Sequence, residues 1–378
     1  MVSLARKTLR HEWRRYLPAA LSIAVAGLLL FAQAALVMGI FSTASVFVRA
    51  SSADLWVGYP QTPSVDLGRP VPVSAEMRLR LDPQVAQVDE LHWLDASWRT
   101  PGSQRHVAVV VAGVSTRADG LLFAKSLSPS TRALLEEPGA VIVDPADLSK
   151  LDIRPGGEAY IQGRRVRLVG LAPGIRSLGA VTVVASNATA RWVGAGAGWG
   201  EQPTYYLARL RQGADPSKAA RRLSSGVVPG RYEVWTAQEF GRRTMLFWLF
   251  DTGAGLGFIA SALLVFVVGA VITSQSLAGA IAGSVRELAM LRAMGITRAE
   301  LGTILITKAS WLGVAGLLAA ALAGLVLLPI AHAAAVPVAP SVPMALLCAV
   351  AVMVVAGLAG LASLSRLSRT DPSMLLRT

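Results

Sequence analysis

The chain has 378 residues, 53% of them hydrophobic, with a mean hydropathy of +0.51. The usual apolar share of a soluble globular chain is about 45–50%, so a wholly soluble protein is excluded. The net charge of +13 is gathered beside apolar runs, where anionic lipid attracts it, and needs no nucleic-acid partner. A single cysteine, Cys348, excludes a disulfide framework.

The chain opens with "LARKTLRHEWRRYLP", which predicts a cytoplasmic amphipathic helix over residues 1–16, with Trp13 and Tyr16 at headgroup level. Tyr16 to Val48 then carries no Asp, Glu, Lys or Arg. A span needs about 20 apolar residues, which places a first transmembrane helix at 17–44. The run is far longer than the roughly 7–15 residues of a signal-peptide core, so the helix is expected to be retained.

Residues 45–245 have the texture of a mixed α/β domain. "ADLWVG" (Ala53–Gly58), "HVAVVVAGV" (His106–Val114), "AVIVD" (Ala140–Asp144) and "AVTVVAS" (Ala180–Ser186) read as strands. "SAEMRLRL" and "STRALLEE" read as short helices, each opened by its serine. Two alternating runs around Gln162-Gly163 read as a hairpin. Strand–helix–strand units are expected over 53–98 and near the end of the domain. They suggest ferredoxin-like halves with a β-rich subdomain inserted between them.

A second charge-free run, Thr252 to Val285, predicts a helix within 246–283, and Trp248 is expected to mark the outer interface. The third run, Ala309 to Ser365, is long enough for two spans. Four prolines, Pro329, Pro337, Pro340 and Pro343, divide it into a helix over 298–328, a loop over 329–343 and a helix over 344–365. A tail of 366–378 follows. Arg6, Lys7, Arg10, Arg14 and Arg15 precede the first span, and Arg366, Arg369 and Arg377 follow the fourth. Arg286, Arg292, Arg298 and Lys308 flank the connection between the second and third. The positive-inside rule then puts both termini and that connection in the cytoplasm, and residues 45–245 outside.

The connection over 284–297 is short, charged and well punctuated. Ser284 and Glu287 form a capping box, Val285 to Met294 a helix of nearly three turns, and Gly295 a left-handed stop. Thr297 and Glu300 form a second box that opens the third span. Arg286, Glu287 and Arg292 spread around the wheel, whereas a helix lying on lipid would segregate them. Leu288, Leu291 and Met294 add apolar knobs. From the residues alone, both a solvated helical turn and docking into a protein groove stay open.

"VRELAMLRAMGITRAEL" resembles the cytoplasmic loop of MacB/FtsX-type ABC transporter permeases, the type VII, mechanotransmission group, at Arg286, Glu287, Leu288, Leu291, Arg292, Ala293, Met294 and Gly295. The layout of one span, a large outer domain and three further spans resembles theirs too, with an FtsX-like permease domain at about 255–375. "ASSADLWV" (Ala50–Val57) is similar to the DevC-like branch. Lys308 departs from the pattern, since many members carry an acidic residue there. The resemblance implies a bacterial inner-membrane, multi-pass permease whose 284–297 segment is a coupling helix. Arg286, Glu287 and Arg292 would make polar contacts with a separate ABC ATPase, and Leu288, Leu291 and Met294 would fill its groove. It further implies a homodimer with two ATPase copies, and a periplasmic adaptor protein with an outer-membrane channel as further partners. ATP and Mg would sit on the ATPase and no cofactor on this chain. The alternative within the family is an FtsX-like transmembrane signalling subunit that regulates an extracytoplasmic hydrolase and carries nothing.

Catalytic constellations are absent from the sequence. No G-x-x-x-x-G-K-[ST] occurs, and "GAGAGWG" (Gly194–Gly200) lacks the lysine and hydroxyl that hold phosphate and magnesium. None of His11, His92, His106 and His332 stands at metal-ligand spacing. His92 with Asp95 could be a fragment of a catalytic set, but a surface strand residue is the expectation. Asp251 is expected to be hydrated at the interface. Gln33 and Gln275, inside spans, are expected to hydrogen-bond between helices. A membrane-anchored enzyme is therefore the weakest of the three readings.

Overall fold

The computed structural model describes residues 13–195, 202–225, 231–282, 290, 297–334 and 336–367. It contains two compact units, one of residues 1–39 with 256–378 and one of residues 40–255.

The first unit is helical. Four helices are long and apolar enough to cross a membrane: Tyr16–Ala44, Gly255–Ser276, Leu305–Ala331 and Val342–Ala359. They lie within α1 (Trp13–Ala44), α9 (Ala254–Ala282), α10 (Arg298–Ala333) and α11 (Val342–Leu367). Leu263, Leu264, Leu318, Leu322 and Leu347 are all more than 60% exposed. Such a surface suits hydrocarbon rather than water. Tyr16, Ala19 and Ile23 of α1 pack with Leu305, Ala309 and Leu312 of α10 and with Val352 and Ala359 of α11. Small residues permit the close approach: a Cβ on Gly316 would stand 2.6 Å from Ile23, and one on Gly39 would collide with the Pro337 carbonyl oxygen. Gln33 donates to Ser261 at 3.2 Å, the interhelical use expected of it. Gln275 is exposed.

The second unit is the α/β domain. Its strands are β1 (Leu55–Gly58), β2 (Val85–Arg99), β3 (Val107–Val114), β4 (Ala140–Val143), β5 (Glu158–Ile161), β6 (Arg164–Leu171), β7 (Val181–Ser186), β8 (Tyr205–Leu210) and β9 (Glu233–Thr236). β2 is shared between two bodies. Its first half pairs with β8 in an antiparallel sheet ordered β2-β8-β1-β9. Its second half pairs with β3 on one side and β5 on the other, which closes β2-β3-β7-β4-β6-β5 into a ring. Alternation fills the ring: Val109 and Val111, Val141 and Val143, Ile161, and Val166 and Leu168 share one buried cluster. The β5–β6 hairpin turns at Gln162 (φ 49°) and Gly163 (φ 78°), the positive pair a two-residue primed turn requires.

The open sheet is buried on both faces. Leu55 and Val57 face α3 (Val73–Leu81) and α7 (Pro216–Ser224), in a cluster with Leu79 and Leu223. Trp56, between them, turns to the other face and joins Phe47, Trp93, Phe123, Tyr205, Trp235 and Phe240. Phe240 belongs to α8 (Ala237–Leu246), and Phe47 to α2 (Val46–Arg49), the turn that follows α1.

Three local expectations change. The helix at 73–81 has Pro72 as its N-cap with no side-chain bond, so Ser74 caps nothing. In α4 (Pro129–Ala133) the cap is Ser128, which accepts from Thr131, because Pro129 supplies the preset first position; the helix tightens into a 3-10 turn over Leu134–Glu136. The helix expected from residue 246 is broken. α8 ends at Leu246, Phe247–Asp251 form a π turn, and Gly253 at φ +72° precedes the restart at Ala254. The Trp248 indole N–H reaches Ser64 and Asp66 at 3.2 Å each.

Candidate functional site

The segment singled out by sequence lies largely outside the described residues. That applies to Ser284, Arg286, Glu287, Leu288, Leu291, Arg292, Met294 and Gly295, to most of residues 1–16, and to the tail from 368. Thr297 and Glu300 are described. The Thr297 backbone N–H donates to the Glu300 carboxylate at 2.9 Å, and its hydroxyl does so at 3.0 Å. The Glu300 N–H returns a bond to the Thr297 hydroxyl at 3.3 Å. This is the reciprocal box expected from the spacing. The Thr297 bonds hold the Glu300 carboxyl below its ordinary pKa. The box starts α10, which continues unbroken to Ala333.

Three turns beyond the box lies Lys308, only 6% exposed. Its ammonium sits 3.4 Å from the Tyr16 hydroxyl and 5.7 Å from the centre of that ring. No carboxylate pairs with it among the described residues. The lysine that departs from the family pattern is thus buried beside the core that joins α10 to α1. Sequence reading noted Lys308 but could not pair it, because Tyr16 is 292 positions away.

The remaining candidates resolve into structural roles. His92 is buried, not on the surface, and its Nε2 lies 3.4 Å from the Glu90 carboxylate. Asp95 is exposed three positions along the same strand, so the two side chains leave opposite faces. Asn187 begins α6 (Asn187–Gly194), and its amide donates to the Glu90 carbonyl at 3.4 Å. Asp251 is exposed in the π turn. Among the described residues no group of His, Cys, Asp and Glu could hold a metal ion.

The Glu90 pair carries a pH signature. The His92 hydrogen bond, and then the charges of His92, Arg191 and Arg80, hold the Glu90 carboxyl below its ordinary value of 4.5 against the opposing effect of burial. A depressed carboxyl contributes stability above its unfolded pKa, and that stability is lost as pH falls through the folded value. Glu90→Gln should flatten the fall of the melting temperature below about pH 4.5, by no more than about 1 kcal/mol because the Glu90 carboxylate is still partly open to solvent. Melting curves of both proteins between pH 3 and 7, followed by circular dichroism, would check it.

Comparison with known proteins adds the following. The family described as FtsX-like permease C-terminal matches residues 258–372. No curated protein matches the chain. Among solved structures, the periplasmic region of MacB from Actinobacillus actinomycetemcomitans is 11% identical over 52% of this chain and 94% of its own, with a TM-score of 0.37. The extracellular domain of the noncanonic ABC-type transporter YknZ from Gram-positive bacteria is 13% identical over 49% of this chain and 100% of its own, with a TM-score of 0.32. A domain of a permease protein from Porphyromonas gingivalis is 11% identical over 48% of this chain and 88% of its own, with a TM-score of 0.31.

Proposed function

We propose, from the match of residues 258–372 to the FtsX-like permease C-terminal family, that this chain is the transmembrane subunit of an ATP-binding-cassette exporter. ATP is hydrolysed by a separate subunit, two copies of which act on a homodimer of this chain in the bacterial inner membrane. The 284–297 segment is its coupling helix and lies in the cytoplasm, as the Arg and Lys residues around the spans support. The α/β domain is extracytoplasmic. Its sheet order β9-β1-β8-β2, with α3 and α7 on one face, supports reading it as ferredoxin-like halves; the ring of strands is then the inserted subdomain.

The observation that carries the coupling role is the Thr297–Glu300 box. A capped start leaves no frayed turn between the segment and the third span, so a push on the segment enters α10 at its first residue. Within α10, the Tyr16–Lys308 contact lies near that entry, so α1 and α10 move as a pair. α1 is continuous to Ala44 and leads directly into α2 of the α/β domain. ATP-driven closure of the partner therefore works the domain through the chain, and substrate is expelled outward without passing between the spans.

The test uses the chain reconstituted with its ATPase in proteoliposomes. Replacing Arg286, Glu287 and Arg292 together with alanine should lower membrane-coupled ATPase activity and export at least tenfold. Wild-type values for both would rule the coupling role out. Coupled hydrolysis that responds to the three substitutions while no substrate is moved, and an extracytoplasmic hydrolase is activated, would favour the signalling reading.

A further inference from the structure

One cavity of the α/β domain is not used by any role described so far. It has a volume of about 690 Å³ and lies between α7, β9 and α8. Two arginine pairs border it, and each is split in the same way. Arg222 is neutralised by Asp82 at 2.9 Å, and Arg243 by Glu233 at 3.4 Å. Their sequence neighbours Arg221 and Arg242 line the cavity, and neither has a carboxylate partner among the described residues. A third guanidinium, Arg78, donates to the carbonyl of Ser225 at the rim. The walls add the hydroxyls of Ser217 and Ser224 and the amide of Gln238, with Glu239 the one acidic side chain.

The place of the cavity in the chain matters. α8 leads through the π turn to the second span, and α2, which directly follows α1, packs against α8: a Cβ on Gly241 would stand 3.5 Å from Val48. Both ends of the domain's chain thus attach at the helix that forms one wall of the cavity.

Two guanidiniums that have no carboxylate partner among the described residues and line one space with neutral donors suit a tetrahedral oxyanion. We propose that this cavity binds a phosphate group, carried by an anionic lipid headgroup or by a soluble phosphoryl compound. Guanidiniums left in water alone would gain nothing from this convergence; a bound phosphate accepts from both. Glu239 opposes the ligand and sets its affinity in a range that permits release.

The full chain, purified in a nonionic detergent and stripped of lipid, is titrated with dioctanoyl phosphatidylglycerol and, in parallel, with inorganic phosphate, followed by native mass spectrometry. Arg221→Ala and Arg242→Ala should each weaken binding about tenfold. Glu239→Gln should strengthen it severalfold. Arg105→Ala, an exposed guanidinium change outside the cavity, should leave it as it was. Binding of phosphatidylglycerol alone with this arginine dependence assigns the site to lipid, and binding of phosphate with the same dependence assigns it to a soluble ligand; either is the expected result. Binding of neither probe, or equal binding by the Arg221→Ala/Arg242→Ala variant with an unchanged melting curve, overturns the proposal. So does an equal loss on Arg105→Ala. None of these readouts involves ATP, so the result is independent of the coupling role.

Discussion

Trp56→Ala will destabilise the α/β domain by about 3–5 kcal/mol, the cost of truncating a buried aromatic side chain. Trp56 is fully buried in β1, between β8 and β9, where it is registered against Leu207 on one side and Trp235 on the other. Its ring lies 5.6 Å from Tyr205, edge-on, and 5.6 Å from Phe240, which itself stacks on Trp235 at 4.6 Å. Removing the indole opens a void beside the rings of Tyr205, Phe240 and Trp235, which cannot collapse into it without moving the sheet. The indole N–H of Trp56 has no hydrogen-bond partner among the described residues. Trp56→Phe therefore deletes an unsatisfied donor along with part of the ring, and its cost should be nearer about 1–2 kcal/mol. Thermal unfolding of the full chain in detergent, followed by near-ultraviolet circular dichroism, should rank wild type, phenylalanine and alanine in that order. Equal melting temperatures for wild type and alanine would refute the role of Trp56 as the centre of the core.

Arg132→Leu should cost about 3 kcal/mol, through lost pairing rather than lost packing. Arg132 is 1% exposed, yet it forms no carboxylate pair among the described residues. Its guanidinium donates to the Ser115 carbonyl at 3.0 Å and to the Leu122 carbonyl, gripping both ends of one segment. Burial lowers its pKa, and Asp89 and Asp119 oppose that shift by their charge. Asp89 holds the same segment from the other side by accepting from the Leu121 N–H at 2.7 Å. The segment carries Phe123, whose backbone is left-handed at φ 52° and whose ring lies 5.0 Å from Phe47. Leucine leaves two carbonyls unpaired and releases that backbone. Arg132→Lys keeps the charge, but a point ammonium does not reproduce the fork, so it should recover only part of the loss. Limited trypsin digestion should cut within residues 115–127 several times faster in the leucine variant. An unchanged digestion rate would show that the grip is not what orders the segment.

The clamp around Arg132 marks the boundary of what the sequence could disclose. The spans were legible because absence of charge over 20 or more residues is a local property. So was the Gln162-Gly163 turn, where residue type dictates backbone angle. The Thr297–Glu300 box was legible for the same reason. Two helix caps were misplaced by two positions: Pro72, not Ser74, and Ser128, not Ser130, where Pro129 already occupies the first turn. The second span starts late because the indole of Trp248 is held 182 positions back, at Asp66. The larger omissions are all long-range. β2 reads as one alternating run, and nothing in it reveals that its halves serve a sheet and a ring. Tyr16 against Lys308 and Arg132 against Ser115 are set by tertiary packing, which leaves no periodic trace.

The contact between α2 and α8 has a bearing on how such a chain assembles and diversifies. The α/β domain interrupts the helical unit over residues 40–255, yet it leaves from beside the point where it entered. Loop closure costs rise only with the logarithm of the enclosed length, and a folded insert with neighbouring ends hardly adds even that. The helices can therefore pair as though the intervening chain were a short turn. The insert is bounded by two adjoining seams and can be exchanged entire, so natural variation in what such proteins handle can be concentrated in a cassette that leaves the membrane half unaltered.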